Sequence, residues 1–393
     1  MTQKQLFLRH VGQTSPEPLA LEITKAKGIY IIDKNGKKYI DLVSGVSVSN
    51  LGHNHPKIIK AVKKQLKKYM HLMVYGEYIQ SPQVKFAKLL SKNTPDNLES
   101  VYFVSSGSEA IEGAMKLAKR YTGNTEIIAF KNAYHGGTHG AMSLMSDTTF
   151  TQAYRPLLPD IKFLDFNKSE QLNKITKKTA GVIVEVIQGE GGINPGEYDF
   201  IQNLYNRCQE TETLLIIDEI QTGFGRAGTL FAFEKYNIKP DIIAMAKAMG
   251  GGMPIGAFMA SKKIMDTLTN NPVLGHITTF GGHPVSAAAA HANLKFLLKS
   301  DLIKDAERKG QLFKDNLKHK NILSIQGTGL LISVELGSEE KASKLMSEGV
   351  KLGFISDLFL FNKTRFRISP PLTITDKQIL KACKLINKAL DNI

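Results

Sequence analysis

Cysteine is almost absent from this chain of 393 residues, which contains only Cys208 and Cys383. The two lie far apart and neither belongs to a CxxC pair, so the sequence argues against a disulfide framework and against a cysteine-ligated zinc site. No apolar run approaches membrane-spanning length, and the first residues lack the apolar segment of a signal peptide. We therefore expect a cytoplasmic protein that has no membrane partner.

Acidic residues are also in short supply, since 36 Asp and Glu face 51 Lys and Arg, giving a formal net charge of +15. A surplus of this kind can indicate a nucleic-acid partner. However, Lys63, Lys64, Lys67 and Lys68 alternate with apolar residues at helical spacing, which is typical of a solvent-exposed helix face, and no aromatic-interleaved basic motif occurs. We predict no nucleic-acid partner, and a basic funnel that attracts dicarboxylates remains an alternative.

Short apolar runs alternate with amphipathic segments through the middle of the chain. Most of the runs are continuous, which is typical of a parallel sheet covered by helices on both faces, and this order predicts an α/β domain with a mostly parallel sheet. The predicted strands are Val101–Val104, Glu126–Phe130, Gly181–Ile187, Leu214–Ile220, Asp241–Ala246 and Ile255–Ala260. Outside this region we predict a hairpin at Gly28–Leu42, a strand at Ile332–Leu336 and a terminal helix at Asp376–Leu390.

An acid and a lysine stand at the ends of two of these runs. Asp218 follows Leu214–Ile217, and Lys247 follows Asp241–Ala246 and precedes a run of three glycines. A buried carboxylate is costly unless it is paired, and a desolvated lysine has a lowered pKa and supplies a free amine. The pair suits pyridoxal 5′-phosphate, with Lys247 forming the Schiff base and Asp218 keeping the ring nitrogen protonated.

A candidate phosphate cradle lies upstream, where Ser105–Glu109 follows a predicted strand and opens the amphipathic helix predicted at Ala110–Tyr121. Ser106 and Glu109 have the spacing of a capping box. The backbone N–H groups of Gly107 and Ser108 would then favour a dianion through hydrogen bonds and the helix dipole.

The segments DEIQTGFGRAG (218–228) and DIIAMAKAMGGG (241–252) resemble signatures of the class III (omega-type) aminotransferases. The similarity extends over nearly the whole chain, from GHNHP (52–56) to RFRISPP (365–371). It implies fold type I, with a large domain built on a mostly parallel sheet and a smaller α+β domain. We therefore predict an N-terminal segment (1–50) that joins the small domain, a large cofactor-binding domain (51–292) and a C-terminal small domain (293–393).

The resemblance assigns further roles around the cofactor. Gln221 contacts the phenolic oxygen of the ring, and Ile220 packs on one ring face. The segment Tyr134–Gly136 matches the family's aromatic-His-Gly element, in which Tyr134 stacks on the other ring face and His135 also belongs to the cofactor site. Lys247 also moves a proton between the substrate carbon and the cofactor. His135 and His139 have the i, i+4 spacing of metal ligands, but no third ligand accompanies them, so we predict no metal site.

Thr279 corresponds to the family's threonine that binds the cofactor phosphate across a subunit boundary. This implies an obligate homodimer with shared active sites. The chain departs from the family nearby, because His283 stands where asparagine is usual.

On the substrate side, Arg367 matches the arginine that forks onto a substrate carboxylate. Glu190 matches the glutamate that pairs with that arginine and swings away for a dicarboxylate, and Glu185 matches another family carboxylate. Many family members carry an arginine for the donor carboxylate at the position of Gly137. The absence of this arginine weakens the case for ornithine, acetylornithine and 4-aminobutyrate. The following sequence, from GAMSLMS (140–146) to YRPLLPD (154–160), resembles putrescine-type enzymes.

The resemblance implies a ping-pong transfer of an amino group from a small-molecule donor to an oxo-acid acceptor. The donor would present the terminal amine of ornithine, acetylornithine, 4-aminobutyrate or putrescine, and the acceptor would be 2-oxoglutarate. One alternative is a decarboxylase or aminomutase on the same scaffold. Another is a non-catalytic basic binding protein, which the presence of both Lys247 and Asp218 disfavours.

Overall fold

The structure, a computed structural model, describes all residues from 1 to 393. The helices are α1 Gln3–His10, α2 Ser44–Ser47, α3 Pro56–Leu66, α4 Ser81–Ser91, α5 Gly107–Thr122, α6 His139–Met142, α7 Thr148–Thr151, α8 Tyr198–Thr211, α9 Lys262–Met265, α10 Pro284–Leu297, α11 Leu302–Asn316, α12 Glu339–Leu352 and α13 Asp376–Leu390. The strands are β1 Ile23–Lys27, β2 Tyr30–Asp33, β3 Lys38–Asp41, β4 Ser100–Val104, β5 Glu126–Phe130, β6 Ile161–Leu164, β7 Thr179–Val184, β8 Ile187–Gln188, β9 Asn194–Pro195, β10 Leu214–Asp218, β11 Ile242–Met245, β12 Gly256–Ala260, β13 Ser324–Thr328, β14 Leu331–Glu335, β15 Phe354–Ile355 and β16 Arg365–Ile368.

A seven-stranded sheet forms the centre of the molecule, in the order β4-β12-β11-β10-β7-β5-β6. Strand β12 runs antiparallel to both of its neighbours, and the other neighbouring pairs are parallel. Both faces of the sheet are buried, because side chains that alternate along each strand enter two different apolar clusters. In β10, Ile216 packs in one cluster and Ile217 in the other. This two-sided burial explains the continuous apolar runs and confirms the predicted α/β class.

Two predicted strands end earlier than expected. The run Gly181–Ile187 was predicted as one strand, but β7 ends at Val184 and Ile187 belongs to the separate two-stranded sheet β8-β9. Similarly, β10 ends at Asp218 and not at Ile220, because the Asp218 carboxylate accepts a hydrogen bond from the Ile220 N–H and turns the chain. Strand β6 was not predicted; its residues Ile161–Leu164 pair with β5 at the sheet edge.

The two ends of the chain meet in a second sheet, β1-β2-β3-β15. It contains the predicted hairpin as β2 and β3, and Phe354 of β15 pairs with Ile40 of β3. Strands β13, β14 and β16 form a further antiparallel sheet, which includes the predicted strand near Ile332. The pairing of N-terminal and C-terminal strands agrees with a shared small domain, while the three domain boundaries stay a prediction. None of the helices combines the length and the apolar character that crossing a bilayer requires.

Candidate active site

The ends of β10 and β11 open into a cavity of about 420 Å³. Asp218 is the last residue of β10 and pairs with Ala244 of the neighbouring strand β11, which ends two residues before Lys247. The volume is in the range of small-ligand sites. The cavity is lined by Val48, Ser105, Ser106, Gly107, Ser108, Tyr134, His135, Gly136, Glu185, Asp218, Ile220, Gln221, Ala246, Lys247, Gly252, Met253, Pro254 and Ile255.

Asp218 is buried and firmly oriented. Its Oδ2 lies 2.8 Å from His135 Nδ1, and its Oδ1 accepts a hydrogen bond of 2.9 Å from the Ile220 N–H. Burial lowers the pKa of His135, but the hydrogen bond to Asp218 and the charges of Asp218 and Glu185 outweigh it, so the pKa lies above its ordinary value. A carboxylate held by two donors in this way can face a cationic ring nitrogen with its charge retained.

Lys247 combines a free amine with an unusual backbone. Its φ is +44°, in the left-handed region, at the start of a short 3-10 turn that ends at Gly250. Its Nζ makes no hydrogen bond or ion pair within the chain, and burial, followed by the charge of Arg367, lowers its pKa despite nearby carboxylates. The Asn293 side chain of α10 donates 2.8 Å and 3.3 Å hydrogen bonds to the Ala248 and Met249 carbonyls. The loop therefore presents an amine with an increased neutral fraction.

The start of α5 forms another wall of the cavity. Ser106 caps the helix, because its Oγ accepts a 3.2 Å hydrogen bond from the Glu109 N–H. The predicted capping box is only half correct, since Glu109 Oε2 accepts from the Ser105 N–H at 2.6 Å and not from Ser106. Gly107 and Ser108 line the cavity at the positive end of a 16-residue helix, a position that suits an anion.

Two further walls come from the Tyr134–Gly136 element and from Glu185. A Cβ on Gly136, whose φ is +136°, would lie 2.3 Å from Ser108 Oγ, so only glycine lets this segment approach the start of α5. Glu185 accepts hydrogen bonds from the Tyr134 and Gly189 N–H groups at 3.3 Å and 3.4 Å. Burial raises the pKa of Glu185 to about 8, although the charge of His135 lowers it in part.

Arg367 and Glu190 form a buried ion pair behind the cavity. Arg367 Nη2 lies 2.8 Å and 3.0 Å from the two Glu190 oxygens. Gln221 links the pair to the cavity wall, because its amide donates to Glu190 Oε1 at 3.1 Å and its carbonyl accepts from Arg367 Nη1 at 3.2 Å. Burial raises the pKa of Glu190, but the charges of Arg367 and Lys247 outweigh it and hold the pKa below its ordinary value.

Some predicted residues lie elsewhere. Thr279 is exposed and does not line this cavity. Its carbonyl accepts a 2.8 Å hydrogen bond from His71 Nε2. Val48 lines the cavity, whereas Tyr75 and Tyr78 line a separate pocket. His283 Nδ1 accepts a 3.3 Å hydrogen bond from the Val285 N–H and so caps α10.

Sequence reasoning missed three residues that hold the site together. Asp357 Oδ1 lies 2.9 Å from Arg367 Nε, and the Phe359 ring centroid lies 4.6 Å from the guanidinium carbon. Asn293 supports the Lys247 loop. No local pattern marks Asp357 or Phe359, which lie in an irregular segment. For Asn293, the signal in the sequence was a polar residue within the alanine-rich run of α10.

Comparison with known proteins places this site in a family. The family described as Aminotransferase class-III matches residues 11–390. The chain belongs to the class III aminotransferases. It is 35% identical over 380 residues to the acetylornithine aminotransferase of Archaeoglobus fulgidus, covering 96% of this chain and 97% of that one. It is 36% identical over 376 residues to the acetylornithine aminotransferase of Bacillus subtilis, covering 94% and 95%.

A solved structure supports the same conclusion for this class III aminotransferase. The ornithine aminotransferase of Toxoplasma gondii superposes with a TM-score of 0.92 at 29% identity, covering 99% of this chain and 93% of that one. The fold is therefore that of the fold type I enzymes, and the chain is a transaminase. Class III aminotransferases use pyridoxal 5′-phosphate, which is accordingly the cofactor of this enzyme.

The residues present fit this cofactor. The cavity holds an anion-binding helix start, an unpaired lysine amine and a fixed carboxylate, with Ile220 and Tyr134 as additional walls. Gly136 leaves room where a Cβ would meet Ser108. Pyridoxal phosphate needs these elements together: donors for its phosphate, an amine for its carbonyl carbon and an acid for its ring nitrogen.

Proposed function

We propose that this aminotransferase moves the terminal amino group of an omega-amino acid or diamine to 2-oxoglutarate in a ping-pong reaction. The relatives named acetylornithine aminotransferase make N-acetylornithine the first donor to test. The observation that carries the proposal is the Arg367–Glu190 pair, which Gln221 joins to the cavity that contains Lys247.

The pair suits two substrates that enter in turn. While Glu190 covers Arg367, the guanidinium is not available to the alpha-carboxylate of an amino acid, and a donor must present a terminal amine to Lys247. A dicarboxylate acceptor competes for the same guanidinium and displaces Glu190, because Arg367 binds a carboxylate through two forked donors. One arginine thereby serves the acceptor half-reaction alone.

The residues of the cavity divide the chemical work. When bound, pyridoxal phosphate supplies a carbonyl carbon that accepts the amine and a ring that withdraws electrons from the reacting carbon. Asp218, oriented by His135, holds the proton on the ring nitrogen. Lys247 Nζ has no competing partner in the chain and moves a proton to and from the reacting carbon. Gly107 and Ser108 hold the phosphate.

We infer that the working enzyme is a homodimer in which Thr279 completes the phosphate site of a second copy. Thr279 is exposed on this chain, and apolar side chains surround its position in sequence: Ile277 is 50% exposed and Phe280 is 57% exposed. Ile79, which borders a pocket that also includes Thr278, is 96% exposed. Exposed apolar surface of this kind is typical of a protein–protein interface.

A diamine donor is the second candidate, and Gly137 favours it. Lys247 is the only lysine or arginine that lines the cavity, so this chain offers no cation there for the carboxylate of a donor. A Cβ on Gly137 would meet only the Tyr134 hydroxyl, at 4.0 Å, so the position is open. A donor without a carboxylate, such as putrescine, does not need the missing cation.

The test is a panel of donors added to the purified holoenzyme, with the visible absorbance of the bound cofactor as the signal. N-acetylornithine, ornithine, 4-aminobutyrate, putrescine and glutamate are compared, and 2-oxoglutarate is then added to restore the absorbance. We expect a terminal amine to bleach the band fastest and 2-oxoglutarate to restore it better than pyruvate. Bleaching by an alpha-amino donor alone, or equal recovery with pyruvate, would contradict the proposal.

The variant Gly137→Arg separates the two donor classes. Because the new guanidinium can bind a donor carboxylate with about 1.5–3 kcal/mol, kcat/KM for N-acetylornithine should rise at least about tenfold if the native donor is a diamine. Putrescine should lose activity through charge repulsion. A loss for N-acetylornithine would indicate that a carboxylate already binds elsewhere in the wild-type site.

A further inference from the structure

The positive charge of this protein is concentrated on three helices that pack together. The segments 56–68, 81–93 and 283–300 contain eleven lysines and no arginine, aspartate or glutamate, so they carry eleven of the fifteen surplus charges. The members of this lysine surface are Lys57, Lys60, Lys63, Lys64, Lys67, Lys68, Lys85, Lys88, Lys92, Lys295 and Lys299. The lysines of α3 alone are typical of a solvent-exposed helix face. The fold adds the lysines of α4 and α10 to the same surface, although α10 is far from both helices along the chain.

A groove joins the three helices. It is lined by Lys64 of α3, by Lys68 just after that helix, by Lys85 of α4 and by His291 of α10. Lys295 follows His291 by one helical turn, and the charges of Lys295 and Lys85 add to burial in lowering the pKa of this histidine. From Lys57 to Lys68 the row of lysines extends roughly 15 Å along the helix axis.

The charges on this surface have no partner within the chain. All eleven lysines are exposed, and none of them forms a salt bridge or donates a side-chain hydrogen bond. Several lysines elsewhere in the molecule are paired: Lys34, Lys131 and Lys262, for example, each form a salt bridge with a carboxylate. Uncompensated like charges repel one another, so their convergence is unfavourable unless an anion neutralises them.

We propose that this lysine surface binds nucleic acid through its phosphate backbone, as a second activity independent of transamination. Regularly spaced phosphates can contact many lysines at once, and the release of their counterions supplies the free energy. Lysine contacts to phosphates carry no sequence information, so we expect binding that is independent of sequence.

Other anionic partners fit the surface less well. Membrane binding by a basic helix requires a free apolar face, but α3 packs against α10, where Ile58 is buried and Val62 joins the core. An acidic protein would need several large apolar or aromatic anchors, and Tyr69 is the one such residue in a groove whose other apolar members are Ala61, Pro82, Ala288 and Ala292. A phosphate polymer needs neither feature.

The experiment measures the binding of the holoenzyme to a fluorescent single-stranded RNA of about twenty nucleotides at increasing salt concentration. Four lysines of this surface, the three that line the groove and Lys295 of α10, are replaced together: Lys64→Gln, Lys68→Gln, Lys85→Gln and Lys295→Gln. We expect affinity to fall at least about tenfold and the slope of log K against log salt to decrease by about three, because each lost phosphate contact removes roughly 0.7.

A charge-matched control distinguishes this surface from general basicity. Its four replaced lysines are exposed, form no salt bridge and lie in the C-terminal region: Lys304→Gln, Lys341→Gln, Lys377→Gln and Lys381→Gln. The control should bind RNA like the wild type, and both variants should retain transaminase activity. Equal weakening in the two variants, no measurable RNA binding, or tighter binding to phosphatidylserine vesicles or polyglutamate than to RNA would overturn the proposal.

Discussion

The two halves of the active site are built in opposite ways. The half assigned to the cofactor consists of groups at strand ends and a helix start: Asp218 ends β10, Lys247 follows β11, and Ser106 caps α5. The half assigned to the substrate depends on long-range ion pairs, since Arg367 of β16 meets Glu190 from 177 residues upstream. One half is fixed by the sheet itself, and the other by charges that can exchange partners.

This difference indicates a division of labour. Groups held by backbone geometry cannot move without disturbing the sheet, which suits a cofactor that must stay in one orientation through both half-reactions. An arginine held by carboxylates can release one of them when a substrate carboxylate arrives. If the comparison is correct, changes in the cofactor half affect every substrate, whereas changes in the substrate half affect one half-reaction.

Replacing Lys247 should have the largest effect. In Lys247→Ala the amine that moves the proton is lost, and we expect both half-reactions to slow by at least about 10⁴-fold. Single-turnover absorbance changes with donor and then with 2-oxoglutarate measure the two steps separately. The variant Lys262→Ala, at an exposed lysine, is the control. Loss of only one half-reaction would show that the cofactor half is not common to both.

The variant Arg367→Gln should affect only the acceptor. Removing one partner of a buried ion pair costs about 3–5 kcal/mol, so kcat/KM for 2-oxoglutarate should fall between about 10²-fold and 10⁴-fold. The donor half-reaction, followed without acceptor, should change much less. The variant Arg365→Gln is the control, because Arg365 lies on the same strand as Arg367 but pairs with Glu335 of the neighbouring strand β14. Equal losses in the two half-reactions would remove the distinction between the halves.

The residues of the cofactor half could be singled out in the sequence because their signals are local, while their roles stay a prediction. A continuous apolar run ending in Asp218, a second ending before Lys247 and the Ser-Gly-Ser helix start each lie within a few residues. Both faces of the sheet are buried, so the runs were readable as strands. The errors occurred at strand ends, where the hydrogen bond from Ile220 N–H to Asp218 stops β10 early.

The substrate half was predicted only through resemblance, because tertiary contacts create it. Asp357 and Phe359 lie in an irregular segment, and only the fold brings them to Arg367. Periodicity does not reveal a partner 177 residues away, as in the Arg367–Glu190 pair. The role that the resemblance gives Thr279 lies in a second subunit and stays a prediction.

The framework behind the cofactor half should make stability depend on pH through Glu219. This carboxyl group is fully buried, receives hydrogen bonds from Thr222 and Phe233, and burial raises its pKa from 4.5 to about 7. A raised folded-state pKa means that the folded protein binds the extra proton. The resulting stability is fully present below pH 4.5 and is lost as pH rises through about 7.

The variant Glu219→Gln tests this contribution, because the amide resembles the neutral acid at every pH. Relative to the variant, the wild type should lose on the order of 3 kcal/mol of unfolding free energy between the two pKa values. Thermal midpoints at fixed protein and cofactor concentrations measure the difference, with the exposed Glu212→Gln as control. Parallel pH profiles of wild type and Glu219→Gln would show that the buried group does not titrate in this range.

The variant Glu190→Gln should have the smallest effect and the opposite sign to Arg367→Gln. With the competing charge removed, Arg367 becomes available, and KM for 2-oxoglutarate should fall up to about tenfold, while alpha-amino donors such as glutamate begin to react at the expense of terminal amines. Asp357→Asn is the matched control, because Asp357 pairs with the same guanidinium through Nε, away from the two donors that face Glu190 and Gln221. Asp357→Asn could change the preference between donors as much as Glu190→Gln does. That outcome would show that Arg367 responds to the total charge around it and that Glu190 has no special role in blocking its binding of a substrate carboxylate.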